Sequence, residues 1–282
     1  MFFVSIITVL VVLVFSSCES LQINEKSVGN IVKAGGAIIK ANEEITPSQE
    51  YYIGRAVGAN ILVTYKLQTN KPALVAYANN ICNALVINSE RPEIYNGYHV
   101  NILDSDEINA FATPGGHIFI TRSLIASATS EDTLAAVIAH EIGHIQLQHG
   151  LNAIKSDRKF QAGLATANAL ASLKGKDLEE VTSNFGVSVD GIVNVLNKGY
   201  SRDQEFEADT KAMELLAKAG YEPSSLIDVL RVLEKTQSAH SGGFNSTHPT
   251  PTQRIANAQK TVGNYKVTDT RSYRQARFNA VK

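Results

Sequence analysis

His140-Glu141-Ile142-Gly143-His144 spells H-E-x-x-H, and this motif constrains what the 282-residue chain can fold into more than any other feature. On an α-helix, positions four apart share one face, so two imidazoles at this spacing can grip a single Zn²⁺. Glu141, between them, can reach a metal-bound water as general base. The competing reading is a pair of solvated histidines on an ordinary helix. The surroundings decide between the two, because a metal site also needs a helix, a third ligand and a substrate wall.

A helix is well signalled. Ser130-Glu131-Asp132 puts a capping residue and two acids where a helix N-terminus favours them. No proline interrupts the chain from Thr133 to His149. Helical steps gather Leu134, Ile138, Ile142 and Ile145 into one apolar stripe. His140 and His144 fall roughly opposite it, with Glu141 between the two faces. The pattern predicts an amphipathic helix that packs with one side and offers histidines on the other.

The third ligand is a matter of register. One large class of zinc proteases extends the motif to H-E-x-x-H-x-x-G-x-x-H. Here Leu147 stands at the glycine position and Gly150 at the last histidine position. His149 is one residue out of register, which excludes that class. The alternative is a carboxylate from a later helix, giving a His₂Glu set. Tyr200-Ser-Arg-Asp-Gln-Glu205-Phe-Glu207-Ala-Asp209 supplies one, on a helix expected from Ser201 to Gly220. Glu205, Asp209, Ala212 and Leu216 share a face, and carboxylates heading an apolar stripe are costly to bury without a cation or donor. Glu205 is assigned as the third zinc ligand, and Asp209 as the partner of the second ring nitrogen of a zinc histidine. Glu207 points away and is expected in solvent. The bland reading is an acidic first turn that merely complements the helix dipole.

Four segments then occur in a familiar order. They are Ile108-Asn-Ala-Phe-Ala-Thr-Pro-Gly-Gly-His-Ile-Phe-Ile120, Ser130 through His144, Ser201-Arg-x-x-Glu205-x-Glu-Ala-Asp209, and Thr247-His248-Pro249 with Arg254-Ile255. Over roughly residues 46 to 262 the chain closely resembles the gluzincin metallopeptidase family of the CAAX prenyl proteases. Its nearest branch looks like the BepA/LoiP-type bacterial proteases and their mitochondrial Oma-type relatives. The resemblance implies a mainly α (α+β) fold, a helical zincin domain with a small sheet lining the active-site cleft. It also implies one catalytic Zn²⁺ and endopeptidase activity on unfolded or misassembled envelope proteins.

The residues carry a mechanism of their own. Zinc lowers the pKa of bound water from 15.7 to about 7. Glu141 takes the proton and later delivers it to the leaving amine. A further donor would stabilise the tetrahedral oxyanion, and His248, Arg254 and Tyr200 are candidates. His248 precedes Pro249 and so belongs to an extended segment, just before a helix start marked by Thr250, Pro251 and Gln253. In BepA-like relatives a histidine of this loop is thought to block the zinc, which makes His248 a candidate gate as well as a catalytic helper. For Tyr200 and Arg254, packing or salt-bridge roles compete.

Pro114-Gly115-Gly116 separates two β-like runs, Ile108 to Thr113 and His117 to Thr121. An exposed edge strand beside a zinc could bind an extended substrate backbone by strand addition. On that reading Asn109, Ala110, Phe111, Gly115, Gly116 and His117 contact substrate. A purely structural hairpin is the alternative.

Phe2 to Phe15 is apolar apart from Ser5 and Thr8, and Ser16-Ser17-Cys18 follows. Fourteen such residues fall short of the roughly 18–20 a span needs, and a small-residue site after an apolar core reads as a secretory signal. The pattern resembles a bacterial lipobox, so Cys18 would be the acylated first residue of the mature chain, holding it to a membrane. The outer membrane is the favoured one, with the protein facing the periplasm and the outer-membrane assembly machinery a partner. No Lys or Arg precedes the apolar run, and Phe15 replaces the usual leucine; a plain signal or an uncleaved anchor are the alternatives.

The expected organisation is a signal at 1–17, a tether at 18–45 that turns partly helical around Ala34-Gly35-Gly36, a metallopeptidase domain at 46–265 and a solvated basic tail at 266–282. Helices are expected from Thr46-Pro47-Ser48-Gln49 and over Pro72 to Ser89, and a strand over His99 to Asp104. Residues 153–196, low in charge, read as two helices near the cleft or on a membrane. Hydrophobic residues make up 44% of the chain, enough for a core, and the net charge of −1 gives no case for nucleic acid. Two readings compete with an endopeptidase. One is a zinc-bound envelope chaperone or adaptor, which Glu141 argues against; the other is a structural lipoprotein with a relic site, which Glu205 and Asp209 argue against.

Overall fold

A computed structural model describes residues 25–173, 199–237, 248 and 251–281. They fall into two compact units: residues 44–154 with 199–281, and residues 25–43 with 155–173. The signal, Cys18 and the segment 174–196 lie outside the described residues. No helix among those described is long and apolar enough to cross a membrane.

The larger unit starts where the sequence places a helix. Thr46 caps α2 (Pro47–Thr64) in a capping box with Gln49, with Pro47 at the first helical position. α3 (Pro72–Val86) ends three residues before the expected Ser89 and buries Leu74, Ala78, Ile81, Cys82 and Leu85. Three strands follow: β1 (His99–Leu103), β2 (Ala110–Ala112) and β3 (His117–Thr121). β3 is central, parallel to β1 and antiparallel to β2, so β2 lies at the sheet edge.

Thr121 caps the short α4 (Arg122–Ser127), and Ser130 then caps α5 (Glu131–Gln146). α5 carries H-E-x-x-H. It packs on β2, α3, α7 (Arg202–Lys218) and α8 (Ser225–Gln237). Every residue of α5 is buried, the polar ones included. The expected amphipathic helix is thus corrected to one enclosed on all sides. The face opposite the leucine–isoleucine stripe meets other protein groups, so each polar atom there needs a partner.

α5 also stops earlier than its proline-free sequence suggests. Gln148 adopts a left-handed conformation (φ 56°), and α6 (His149–Leu173) begins in a new direction. α9 (Pro251–Thr261) packs on α7 and α8, and a 3₁₀ turn (Val262–Asn264) continues it.

The expected basic tail is a helix, α10 (Arg271–Val281). Arg274 is buried and grips Asp132 through Nε–Oδ2 and Nη2–Oδ1 bonds of 2.8 Å each. Arg277 pairs with Glu131, which also accepts from Tyr77 (2.6 Å) and Tyr221 (2.9 Å). The two acids at the head of α5 therefore complement more than a dipole; they anchor α10.

In the smaller unit, the segment expected as a tether is helical over Glu25–Asn42 (α1). Its Ala34 and Ala37 bury against Ala162 and Ala165 of α6.

Candidate metal centre

α5 and α7 cross with their backbones close, because Gly143 presents no side chain to Ala208. That crossing sets the first turn of α7 beside the last turns of α5. α7 is started by Ser201, in a capping box with Gln204. Glu205 and Asp209, one turn apart, are both buried and aim at the histidines.

His140 Nε2 and His144 Nε2 lie 3.1 Å apart. Glu205 approaches both, with 3.5 Å from Oε2 to His140 Nε2 and 3.4 Å from Oε1 to His144 Nε2. His248 joins them, its Nδ1 2.9 Å from Glu205 Oε1 and 3.3 Å from His140 Nε2. The ligand atoms of His140, His144, Glu205 and His248 all lie within 4.8 Å of one another, and all four residues are buried. Zinc–nitrogen bonds of about 2.0–2.1 Å at tetrahedral angles put two imidazole nitrogens roughly 3.3 Å apart. The donor set and its spacing fit one zinc ion.

Each histidine is held from behind. His140 Nδ1 lies 3.0 Å from Asp209 Oδ1. Arg254 grips Asp209 (Nε–Oδ2 2.8 Å, Nη2–Oδ1 2.6 Å) and reaches Glu205 with Nη1 2.9 Å from Oε2. His144 Nδ1 instead meets His149 Nδ1 at 2.9 Å. Tyr200 stacks on the His144 ring, with centroids 4.0 Å apart and planes 18° apart.

The charges follow from this packing. Burial and the Arg254 guanidinium push His140 down, but Asp209 and Glu205 outweigh them and lift it to about 9. Burial holds His144 well below the ordinary imidazole value. Burial would raise Glu205 and Asp209, yet His248 and Arg254 hold Glu205 well below its ordinary value, and Arg254 does the same for Asp209. Burial raises Glu141. Among the described residues neither carboxylate oxygen of Glu141 has a hydrogen-bond partner, and Oε1 lies 3.8 Å from His248 Nε2. A buried carboxylate left this way is a base awaiting a proton donor. Burial, then the nearby Glu141 and Glu205, raise the Tyr200 phenol, so it keeps its proton.

A cleft beside His144 is lined by Glu50, Ala112, Thr113, Pro114 and Tyr200 among others. The residues expected to contact substrate are mostly committed elsewhere. Asn109 is buried and bonds Ala110 N, Glu107 and Thr121. Gly115 presses on α2, where a Cβ would lie 2.6 Å from Tyr51 Cα, and its N–H donates to Glu50. Gly116 accepts from His99 N at 2.9 Å, and the His117 ring lies against His99 and Tyr51. These positions shape the hairpin, the structural role that competes with substrate contact. Ala110 and Phe111 remain on the edge strand. Thr121 N donates to Asn109 O and Thr113 N to His117 O. By antiparallel alternation, Ala110 and Ala112 turn their backbone groups to the outer edge.

The structure brings His140, Glu141, His144, Tyr200, Glu205, Asp209, His248 and Arg254 together. Arg254 braces Glu205 and Asp209, the salt-bridge role that competes with its oxyanion candidacy. Two participants escaped the sequence reading. By sequence His149 is out of register for a ligand, and Glu207 belongs in solvent. Glu207 is indeed 62% exposed, yet its Oε2 lies 3.1 Å from His149 Nε2. The signal was a third histidine five residues after His144, usable only once the helix break is known.

A model of peptidase family M48 matches residues 72–262. The chain is 26% identical over 234 residues to a beta-barrel assembly-enhancing protease of Escherichia coli K12, covering 80% of this chain and 45% of that protein. It is 26% identical over 173 residues to the metalloprotease YcaL of the same organism, covering 61% of this chain and 65% of that one. It is also 31% identical over 163 residues to the mitochondrial metalloendopeptidase OMA1 of Saccharomyces cerevisiae, covering 54% and 43%. The chain thus spans about half the length of the first of these relatives.

Proposed function

This chain belongs to peptidase family M48, and on that premise we propose that it is a zinc-dependent endopeptidase acting on unfolded or misassembled envelope proteins. His140, His144 and Glu205 hold the metal. The observation that carries the reading is the pair of ring nitrogens 3.1 Å apart beside Glu205, with Glu141 buried next to them and lacking a hydrogen-bond partner among the described residues.

When bound, zinc supplies Lewis acidity, acidifying water and polarising the scissile carbonyl. Glu141 accepts the proton of the attacking water and returns it to the leaving amine. Its raised affinity for protons, a consequence of burial, suits both transfers. Asp209 and Arg254 keep His140 and Glu205 in place. Tyr200 lines the cleft beside His144, which makes it a candidate donor to the developing oxyanion. An extended substrate adds to the outer edge of β2, reading backbone at Ala112 and leaving side chains largely unselected. Such sequence tolerance suits clients recognised by being unfolded.

The name of the Escherichia coli relative, a beta-barrel assembly-enhancing protease, supports beta-barrel proteins in assembly as the substrate class, which fits the envelope setting proposed here. Acylation of Cys18 would tether the enzyme to that membrane. A second reading, a latent protease or client-holding chaperone, draws support from His248, whose Nδ1 sits among the ligand atoms.

The test is zinc quantification on the purified protein, with cleavage of casein or an unfolded porin compared between wild type and Glu141→Gln. Stoichiometric zinc and cleavage lost in the variant are expected. Zinc without cleavage in either form would favour the latent reading, and no zinc would sink both.

A further inference from the structure

We propose that His149 and Glu207 form a one-directional hydrogen-bond relay that fixes the tautomer and orientation of His144 and so sets the affinity of the metal centre. The proposal rests on the reading of His144 as a zinc ligand. His149 Nδ1 lies 2.9 Å from His144 Nδ1, and His149 Nε2 lies 3.1 Å from Glu207 Oε2. The two rings meet edge to face, 70° apart with centroids 5.0 Å apart. His149 is 3% exposed, so its ring nitrogens have little water to turn to.

The direction of the relay follows from valence. A ring nitrogen that binds a cation gives up its lone pair, so the proton of a neutral imidazole must sit on the other nitrogen. His144 Nε2 faces His140 and Glu205, which places the proton on Nδ1. It is donated to His149 Nδ1, which must then be an acceptor. The proton of His149 therefore sits on Nε2 and is donated to Glu207. Reversing any link would aim an N–H at the cation position. The relay thus holds His144 in its ligating tautomer, while Tyr200 fixes the ring plane.

The local fold is built for this contact. On a continuous helix, a residue five positions after His144 would sit about 140° round the axis. The left-handed Gln148 ends α5 and swings His149 back behind His144. The two metal histidines are thus supported differently: His140 by a buried carboxylate that Arg254 neutralises, His144 by a neutral imidazole that passes the load to a surface carboxylate.

Zinc affinity, measured by competition with a chromophoric chelator, tests the relay together with the visible spectrum of the Co²⁺-substituted protein. His149→Leu removes the acceptor and is expected to weaken zinc binding about 10–100-fold and to shift the Co²⁺ bands. His149→Asn, whose Oδ1 can accept the His144 proton, should restore most of both. Glu207→Gln should cost less than roughly tenfold, because an exposed carboxylate contributes little. Unchanged affinity and spectrum in His149→Leu would overturn the relay. So would an Asn variant as impaired as Leu, since packing alone would then explain the loss. A wild type that binds no zinc would overturn both the relay and the reading of the metal centre beneath it.

Discussion

Gly143 meets Ala208 where α5 crosses α7, and a Cβ on Gly143 would lie 2.9 Å from the Ala208 carbonyl oxygen and 3.3 Å from its Cα. Both neighbours are backbone, so neither can rotate aside. Gly143→Ala should part the helices by a few tenths of an ångström and cost about 1–3 kcal/mol. Because Glu205 rides on α7, zinc affinity should fall with stability. Melting curves with and without zinc check this, and unaltered values would show that the crossing is slack.

Tyr200 lines the cleft and stacks its ring on His144. Tyr200→Phe keeps the stack and removes the donor. It should lower kcat by about 10²–10³-fold if the hydroxyl binds the oxyanion, with KM and bound zinc little changed. A loss of zinc instead would assign Tyr200 to ring positioning.

His248 Nδ1 shares the metal cluster, 2.9 Å from Glu205. If it gates the site, His248→Ala should raise basal cleavage of casein while zinc stays bound. If it aids catalysis, the same variant should lower kcat. The sign of the change in steady-state rate separates the roles.

Arg274 binds buried Asp132 through two hydrogen bonds and caps the Gly220 carbonyl at 2.9 Å. Arg274→Ala strands that carboxylate and should cost about 3–5 kcal/mol, lowering Tm on the order of 10 °C. Adding Asp132→Asn should recover part of the loss, since the uncompensated charge is then gone. A solvated tail would show neither effect. Calorimetry of the single and double variants decides.

Gln148 holds φ 56°, a region costly for any residue with a Cβ. In a helix interior, a change to glycine costs about 1 kcal/mol. Here Gln148→Gly should match or exceed the wild-type stability, whereas Gln148→Val should lose more than about 1 kcal/mol. Chemical denaturation reads both.

Much of this was legible in the chain itself. Capping residues announced the starts of α2, α5 and α7, because a side chain that bonds its own N-terminal amides acts within four residues. The spacing of His140 and His144 fixed a shared helix face for the same local reason. The motif order carried Glu205 and Asp209 into the set, and the Pro114-Gly115-Gly116 turn marked the hairpin.

What the chain left open depended on groups far apart in sequence. Periodicity showed which face of α5 is apolar, but only the packed neighbours show that its polar face is buried too. Arg274 and Arg277 look solvated until they are seen to pair with acids some 140 residues away. For Gly115, Gly116 and His117, only the folded chain shows α2 and β1 pressed against them. His149 became a candidate support only through the left-handed turn at Gln148, which no spacing rule announces. Hydrogen bonding within a turn is encoded by neighbouring residues, so sequence alone determined the capped helix starts and the metal-binding residue types. Burial and long-range charge pairing exist only after the chain has closed on itself, so tertiary structure alone decided which side chains brace the metal centre and which build its walls.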